Sequence, residues 1–184
     1  MPAGNTTERY GWVSAGLHWL IAIVVVGLFW LGWWMVDLSY YDDWYTLAPH
    51  IHRSVGILLI AAMILRLLWR WLSPPPPALA SHSRFERAAA HMAHGLLYVL
   101  IFVAGITGYL ISTADGSGID VFDWFTVPSV TGEVKRMEDW AGSVHYWVTW
   151  AIIALAVVHA LGAVKHHVVD RDETLRRMLG LRPR

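Results

Sequence analysis

VHYWVTWAIIALAVVHALGAV, residues 144–164, runs for twenty-one residues without an Asp, Glu, Lys or Arg, yet it carries His145 and His159 near its two ends. A stretch of that length, as a helix, crosses roughly 30 Å of hydrocarbon. An ionisable side chain inside a bilayer is expensive and marks a functional site. The fourteen steps from His145 to His159 turn a helix by about 1400°, about 40° short of four full turns, and rise about 21 Å. The two imidazoles therefore share one helix face at opposite ends of the span. That geometry suits two haems, one near each surface, each held by imidazole axial ligation.

Three more apolar stretches accompany it: Ala15–Val36 with His18, the run from His52 to Leu72, and Ala88–Ile111 with His91 and His94. The composition agrees, at 56% hydrophobic and 15% charged with twelve Trp. The expected fold is an all-α membrane protein, a bundle of four transmembrane helices at about 14–36, 50–72, 87–112 and 139–168, forming a single membrane domain over 1–184. The first stretch is too long for a signal peptide, and Met35, Val36 and Asp37 offer no small-residue cleavage site. Four spans in 184 residues leave no room for a separate soluble domain. Without cysteine, thiolate catalysis, disulfides, iron–sulfur clusters and covalently attached haem are excluded.

The net charge is zero, but the charges are segregated. Arg9, Arg66, Arg70, Arg84, Arg87, Lys165, Arg171, Arg176, Arg177, Arg182 and Arg184 fall to one side of the four spans, and only Arg53, Lys135 and Arg136 to the other. The positive-inside rule then places both termini in the cytoplasm. The opposite loops are acidic, with Asp37, Asp42, Asp43, Asp115, Asp120, Asp123, Glu133, Glu138 and Asp139. Arg66 and Arg70 interrupt the inner end of the second span and are expected to snorkel to the headgroups. Pro74–Pro77 stop that helix. Ser83 with Glu86 three residues on forms a capping box for the third. Between the third and fourth helices, Val121, Phe122, Trp124 and Phe125 read as a patch in the membrane interface. Trp30, Trp33, Trp34 and Trp44, and on the other side Trp69 and Trp71, read as aromatic-belt anchors.

With this topology His52 and His145 lie at the outer depth, and His18 and His159 at the inner. Matched depths are what two bis-histidine haems need. His94 has the depth to compete with His18, and spacing leaves that contest open. Zinc is the competing metal, and the short spacings His50–His52 and His166–His167 suit it. No inward-facing carboxylate or thiolate lies near them in sequence. His50, His82 and His167 are expected to be solvated. Gly16, Gly27, Gly56, Gly95, Gly105, Gly108, Gly142 and Gly162 fall in or at the ends of the helices, where a missing side chain admits a flat macrocycle or a neighbouring helix.

Leu17-His18-Trp19, His52-Arg53-Ser54-Val55-Gly56, Leu65-Arg66-Leu67-Leu68, His91-Met92-Ala93-His94, His145, His159, the His166-His167 pair and the tail Asp172-Glu173-Thr174-Leu175-Arg176-Arg177-Met178 form an ordered set over nearly the whole chain. That set resembles the bacterial di-haem cytochrome b561 family. The resemblance implies two haems b, with His18 and His159 as axial ligands of the inner one and His52 and His145 of the outer. It implies electron transfer between ubiquinone and a partner across a bacterial inner (cytoplasmic) membrane, and in one branch superoxide:ubiquinone oxidoreductase (superoxide oxidase) activity. Quinone is then expected beside the inner haem at His94 and His166, with Arg84 or Arg87 nearby. Arg53, Lys135 and Arg136 are expected to form a basic mouth for superoxide above the outer haem. The alternative is an electron carrier, or a membrane anchor subunit, serving a periplasmic redox protein. Nucleic acid is not an expected partner.

Overall fold

The computed structural model describes residues 2–181, so Arg182 and Arg184 of the charge asymmetry lie outside the described residues. Four long helices follow in order: α1 (Trp12–Met35), α2 (Leu47–Leu72), α3 (Arg84–Ser112) and α4 (Met137–Val168). A hairpin of β1 (Ile119–Val121) and β2 (Phe125–Val127) stands between α3 and α4, and a short α5 (Thr174–Leu179) follows α4. All four long helices have the length and hydropathy to cross a membrane. Large apolar side chains such as Ile23, Trp30, Leu65, Val99, Trp147 and Val158 are exposed along them. A water-soluble monomer rarely exposes apolar surface on that scale, whereas hydrocarbon is its natural solvent.

The helix starts lie two or three residues before the expected ones. Pro49 sits in the first turn of α2, where a missing N–H costs nothing. Polar and acidic residues open α3 and α4: Glu86 in one, Glu138 and Asp139 in the other. Negative charge there is stabilised by the helix dipole. The expected capping box is present. Ser83 Oγ accepts from the Glu86 N–H at 3.2 Å, and Glu86 Oε2 accepts from the Ser83 N–H at 2.9 Å.

The chain falls into two packing units. One comprises the chain up to Ala22, Ala62–Tyr98 and everything from Ala154 on; the other comprises Ile23–Ala61 and Val99–Ile153. In the first unit, polar contacts tie the terminal segments to helix ends. The Asn5 N–H donates to Ser73 Oγ at 2.8 Å, and Trp69 Nε1 donates to Ser14 Oγ at 3.0 Å. Trp19 Nε1 donates to the Met178 carbonyl at 3.2 Å, and Arg177 donates to the Pro77 carbonyl at 3.0 Å.

In the second unit the hairpin packs on α2. Ile119 and Val121 point inward and Asp120 outward, the alternation of a half-buried strand. Fully buried Ser54 of α2 joins them: its hydroxyl donates to the Asp120 carbonyl at 3.3 Å and accepts the Phe122 N–H at 3.1 Å. Phe122 and Asp123 make the turn with φ of 46° and 59°, a left-handed pair that Ser54 and the Trp124 N–H to Val121 carbonyl bond (2.9 Å) hold. The expected interfacial patch therefore divides. Val121 is buried against protein, while Trp124 and Phe125 remain exposed.

Candidate functional site

His52, in the second turn of α2, and His145, in the third turn of α4, face each other in the second unit with ring centres 6.2 Å apart and planes at 73°. The His145 Nδ1–H donates to the Ala104 carbonyl at 2.9 Å, with Thr107 Oγ1 at 3.2 Å as a further acceptor. Thr107 is free to accept because its own hydroxyl donates to the Val103 carbonyl at 2.8 Å. The proton is thereby fixed on Nδ1, and the Nε2 lone pair is left for a metal, as in histidines whose other ring nitrogen donates to a carbonyl. His52 Nδ1 is buried without a hydrogen-bond partner.

Glycines make room for both rings. A Cβ on Gly32 would stand 2.9 Å from His52 Cε1, and one on Gly108 would stand 3.2 Å from His145 Cε1. Around the pair lies a cavity of about 1220 Å³ walled in part by Gly32, Gly56, Gly105, Gly108 and Gly142. It exceeds the roughly 300–1,000 Å³ of ordinary ligand pockets. A Cβ on Gly56 or Gly142 would meet no atom and would project into free space. A flat macrocycle needs walls of this kind, and the residues fit one. Gly105 is different, since a Cβ there would collide with Ile60, so it serves helix packing.

Arg53, Lys135 and Arg136 line the same cavity, together with Asp115, Glu133 and Glu138. Arg136 is paired with Asp139 at 3.1 Å. The Ser117 hydroxyl and N–H, both bonded to Asp115, hold that carboxyl below its usual range, and Arg53 adds to the effect. The rim therefore carries both signs.

The first unit holds the second pair. His18 of α1 and His159 of α4 have ring centres 6.3 Å apart and planes at 75°. His94 of α3 also packs on His159, but with centres 5.0 Å apart. Metal–imidazole bonds are about 2 Å long and a ring nitrogen lies about 1 Å from its ring centre, so imidazoles on opposite sides of one metal stand about 6 Å apart. His18–His159 and His52–His145 both match that spacing; His94–His159 is too close. The contest left open by sequence spacing thus favours His18 on geometry.

Arg66 departs from expectation. It turns inward instead of snorkelling: Nε donates to the Tyr98 hydroxyl at 2.8 Å, and Nη2 lies 3.3 Å from His18 Nδ1. Nη1 is buried without a partner.

The remaining histidines divide. His166 does not join His94; it packs on His82 with ring centres 4.5 Å apart. His82, expected in solvent, is mostly buried and bonds Asp172 at 3.0 Å and Thr174 at 3.1 Å. His167 is half-buried, with its Nδ1 shielded and without a partner. His50 is half-buried, edge-on to Phe122. Burial raises the Asp172 pKa, but bonds from Thr174 and His82 and the nearby His166 outweigh it and leave the carboxyl below its usual range. Gly32, Arg66, Tyr98 and Thr107 are site residues that the sequence did not single out for these contacts. Gly32 alone carried a usable signal, as a small residue within an aromatic helix end.

A family profile described as prokaryotic cytochrome b561 matches residues 9–181. The chain belongs to the prokaryotic cytochrome b561 family. Cytochrome b561 homolog 2 of Escherichia coli (strain K12) is 53% identical over 176 residues, covering 96% of this chain and 94% of that protein. The probable superoxide oxidase CybB of Yersinia pestis is 27% identical over 177 residues, covering 94% of this chain and 96% of that protein. Cytochrome b561 homolog 1 of Escherichia coli (strain K12) is 27% identical over 186 residues, covering 94% of this chain and 97% of that protein. As a cytochrome b561, the chain is a multi-pass bacterial membrane protein of electron transport that uses haem b.

Proposed function

We propose that this cytochrome b561 binds two haems b, one in each packing unit, and carries electrons from superoxide on the outer side of the inner membrane to ubiquinone within it. The observation that carries the reading is the pair of opposed imidazoles in each unit, with ring centres 6.2 and 6.3 Å apart. His52 and His145 would hold the haem in one unit, and His18 and His159 the haem in the other. Haem b so held would supply reversible one-electron chemistry.

The protein's residues do the rest. The Ala104 carbonyl keeps His145 in the ligating tautomer. Ligation by His18 through Nε2 puts its proton on Nδ1, which requires Arg66 Nη2 to turn away from its present contact. Arg66 carries a full positive charge beside that ligand, which favours the electron-rich state. His94, packed on His159, would donate to a quinone carbonyl beside the inner haem. Arg84 or Arg87 supplies a further basic contact there. His166 is held by the His82 and Asp172 side chains, so the quinone contact rests on His94.

Superoxide as the donor is supported by the 27% identical relative named as a probable superoxide oxidase and by Arg53, Lys135 and Arg136 at the cavity rim. The orientation, with termini in the cytoplasm, rests on the Lys and Arg asymmetry. A second reading, a carrier or anchor subunit for a periplasmic redox protein, is favoured by Asp115, Glu133 and Glu138 on the same rim, which suit a basic protein surface. Stopped-flow haem absorbance after a superoxide pulse, at rising ionic strength, separates the two. Fast reduction that slows with salt, and slows further in Lys135→Ala, is the expected result for superoxide. Reduction no faster than that of an unrelated haem protein leaves the carrier reading standing.

A further inference from the structure

The geometry points to a divalent transition-metal site, of zinc type, formed by His82 Nε2, His166 Nδ1 and Asp172 Oδ2. It is separate from the haem ligands. His82 lies on the α2–α3 linker, His166 near the end of α4, and Asp172 in the turn before α5. These donor atoms lie within 4.8 Å of one another. Asp172 Oδ2 is 3.0 Å from His82 Nε2 and 2.9 Å from His166 Nδ1. Tetrahedral zinc with bonds of about 2.0–2.1 Å spaces its donors about 3.3–3.5 Å apart, so the two distances to Asp172 need open by only a few tenths of an ångström.

Two further observations support the site. His166 Nδ1 is buried, and Asp170 Oδ2 at 2.8 Å and Asp172 Oδ2 at 2.9 Å both approach it, yet no hydrogen bond of good geometry forms. One N–H cannot serve two carboxylates at once, whereas a cation between them satisfies both. The second observation is charge. Asp170, Asp172 and Glu86 gather here beside Lys165, which bonds Glu86 and Asp170 at 2.7 Å each. The Asp172 carboxylate instead faces two imidazoles, with its side chain only 9% exposed. Unbalanced charge so little hydrated is costly, and a dication balances it. Two imidazoles and one carboxylate are a zinc-type donor set with a fourth position left for water, and Thr174 Oγ1 lies beside it, 3.1 Å from His82 Nε2. The ion clips the C-terminal segment to the α2–α3 linker.

The test uses the full-length, haem-loaded protein in detergent, washed with chelator and titrated with zinc alone by calorimetry. The expected result is one tight zinc per chain, weakened by at least about tenfold in both His82→Ala and Asp172→Asn, with the haem spectrum of each variant intact. Zinc-edge X-ray absorption of the unmodified protein should show two imidazoles and light-atom ligands only. No stoichiometric zinc, or zinc held equally well by both variants, overturns the site. If a variant loses its haem spectrum, the absorption spectrum decides: a shell without two imidazoles overturns the site.

Discussion

At the scale of single residues, the strongest lever is Arg66. Its guanidinium lies beside His18 and bonds Tyr98, so with Nη2 turned from His18 the Tyr98 bond still keeps the charge near the haem that His18 would hold. A unit charge about 8 Å away at an effective dielectric of about 20 is worth about 2 kcal/mol, and partial solvent screening reduces it. Replacing Arg66 by Gln removes a charge that favours the reduced state. The haem held by His18 and His159 should drop in potential by on the order of 50 mV, and the haem held by His52 and His145 should stay where it was. A spectroelectrochemical titration reads both, and equal shifts in the two would refute a local effect. The four histidines that meet in two facing pairs were legible in the sequence because an imidazole has no ordinary place in a lipid-facing run. The role of Arg66 was not, because arginine at a span end normally reaches for headgroups. Its inward turn depends on Tyr98, thirty-two positions away. Thr107 and Ala104 were hidden for the same reason: their contacts with His145 exist only once α3 lies beside α4.

At the scale of elements, the hydropathy of the four spans made the helices visible, the proline run gave the end of α2, and the capping box marked the approach to α3. The hairpin was not visible. Its strands are three residues each, too short for alternation to stand out, and its turn uses Phe122 and Asp123 in the left-handed region where Asn-Gly is the usual signal. What holds it is a serine from another element. Ser54→Ala removes both bonds to the hairpin and leaves the Phe122 N–H and the Asp120 carbonyl without their partner. The expected cost is about 1–3 kcal/mol, read as faster amide exchange over residues 119–127. Unchanged protection there would show that Ile119 and Val121 alone hold the hairpin.

Helix approach gives a second prediction at this scale. A Cβ at Gly32 falls 2.9 Å from His52 Cε1, closer than atoms tolerate. Gly32→Ala should therefore push the imidazole out of line and lower occupancy of the haem in that unit. Gly108→Ala, with 3.2 Å to His145, should do the same more weakly. Pyridine haemochrome assay of the two variants tests the order, and a reversed order would show that His145 is the less tolerant ring.

At the scale of the whole molecule, the two facing histidine pairs have no member in common, and each pair lies within a single packing unit. The family brings haem b but leaves its number to the ligands. Segregated charge was legible from sequence alone, whereas the meeting of His82 with Asp172, ninety positions apart, was not, since no local pattern announces so distant a pair. Two unshared pairs predict independent sites. Extraction should yield about two haems b per chain, and His52→Ala or His145→Ala should each leave about one, with the spectrum and potential of the His18–His159 site unchanged. His18→Ala or His159→Ala should leave the complementary haem. His94→Ala should retain both haems, because its 5.0 Å approach to His159 is too short to admit a metal between the rings, and should slow quinone-linked oxidation instead. One haem in the unmodified protein would end the two-site reading. Loss of a haem in His94→Ala with retention in His18→Ala would exchange the roles of α1 and α3 in the first unit.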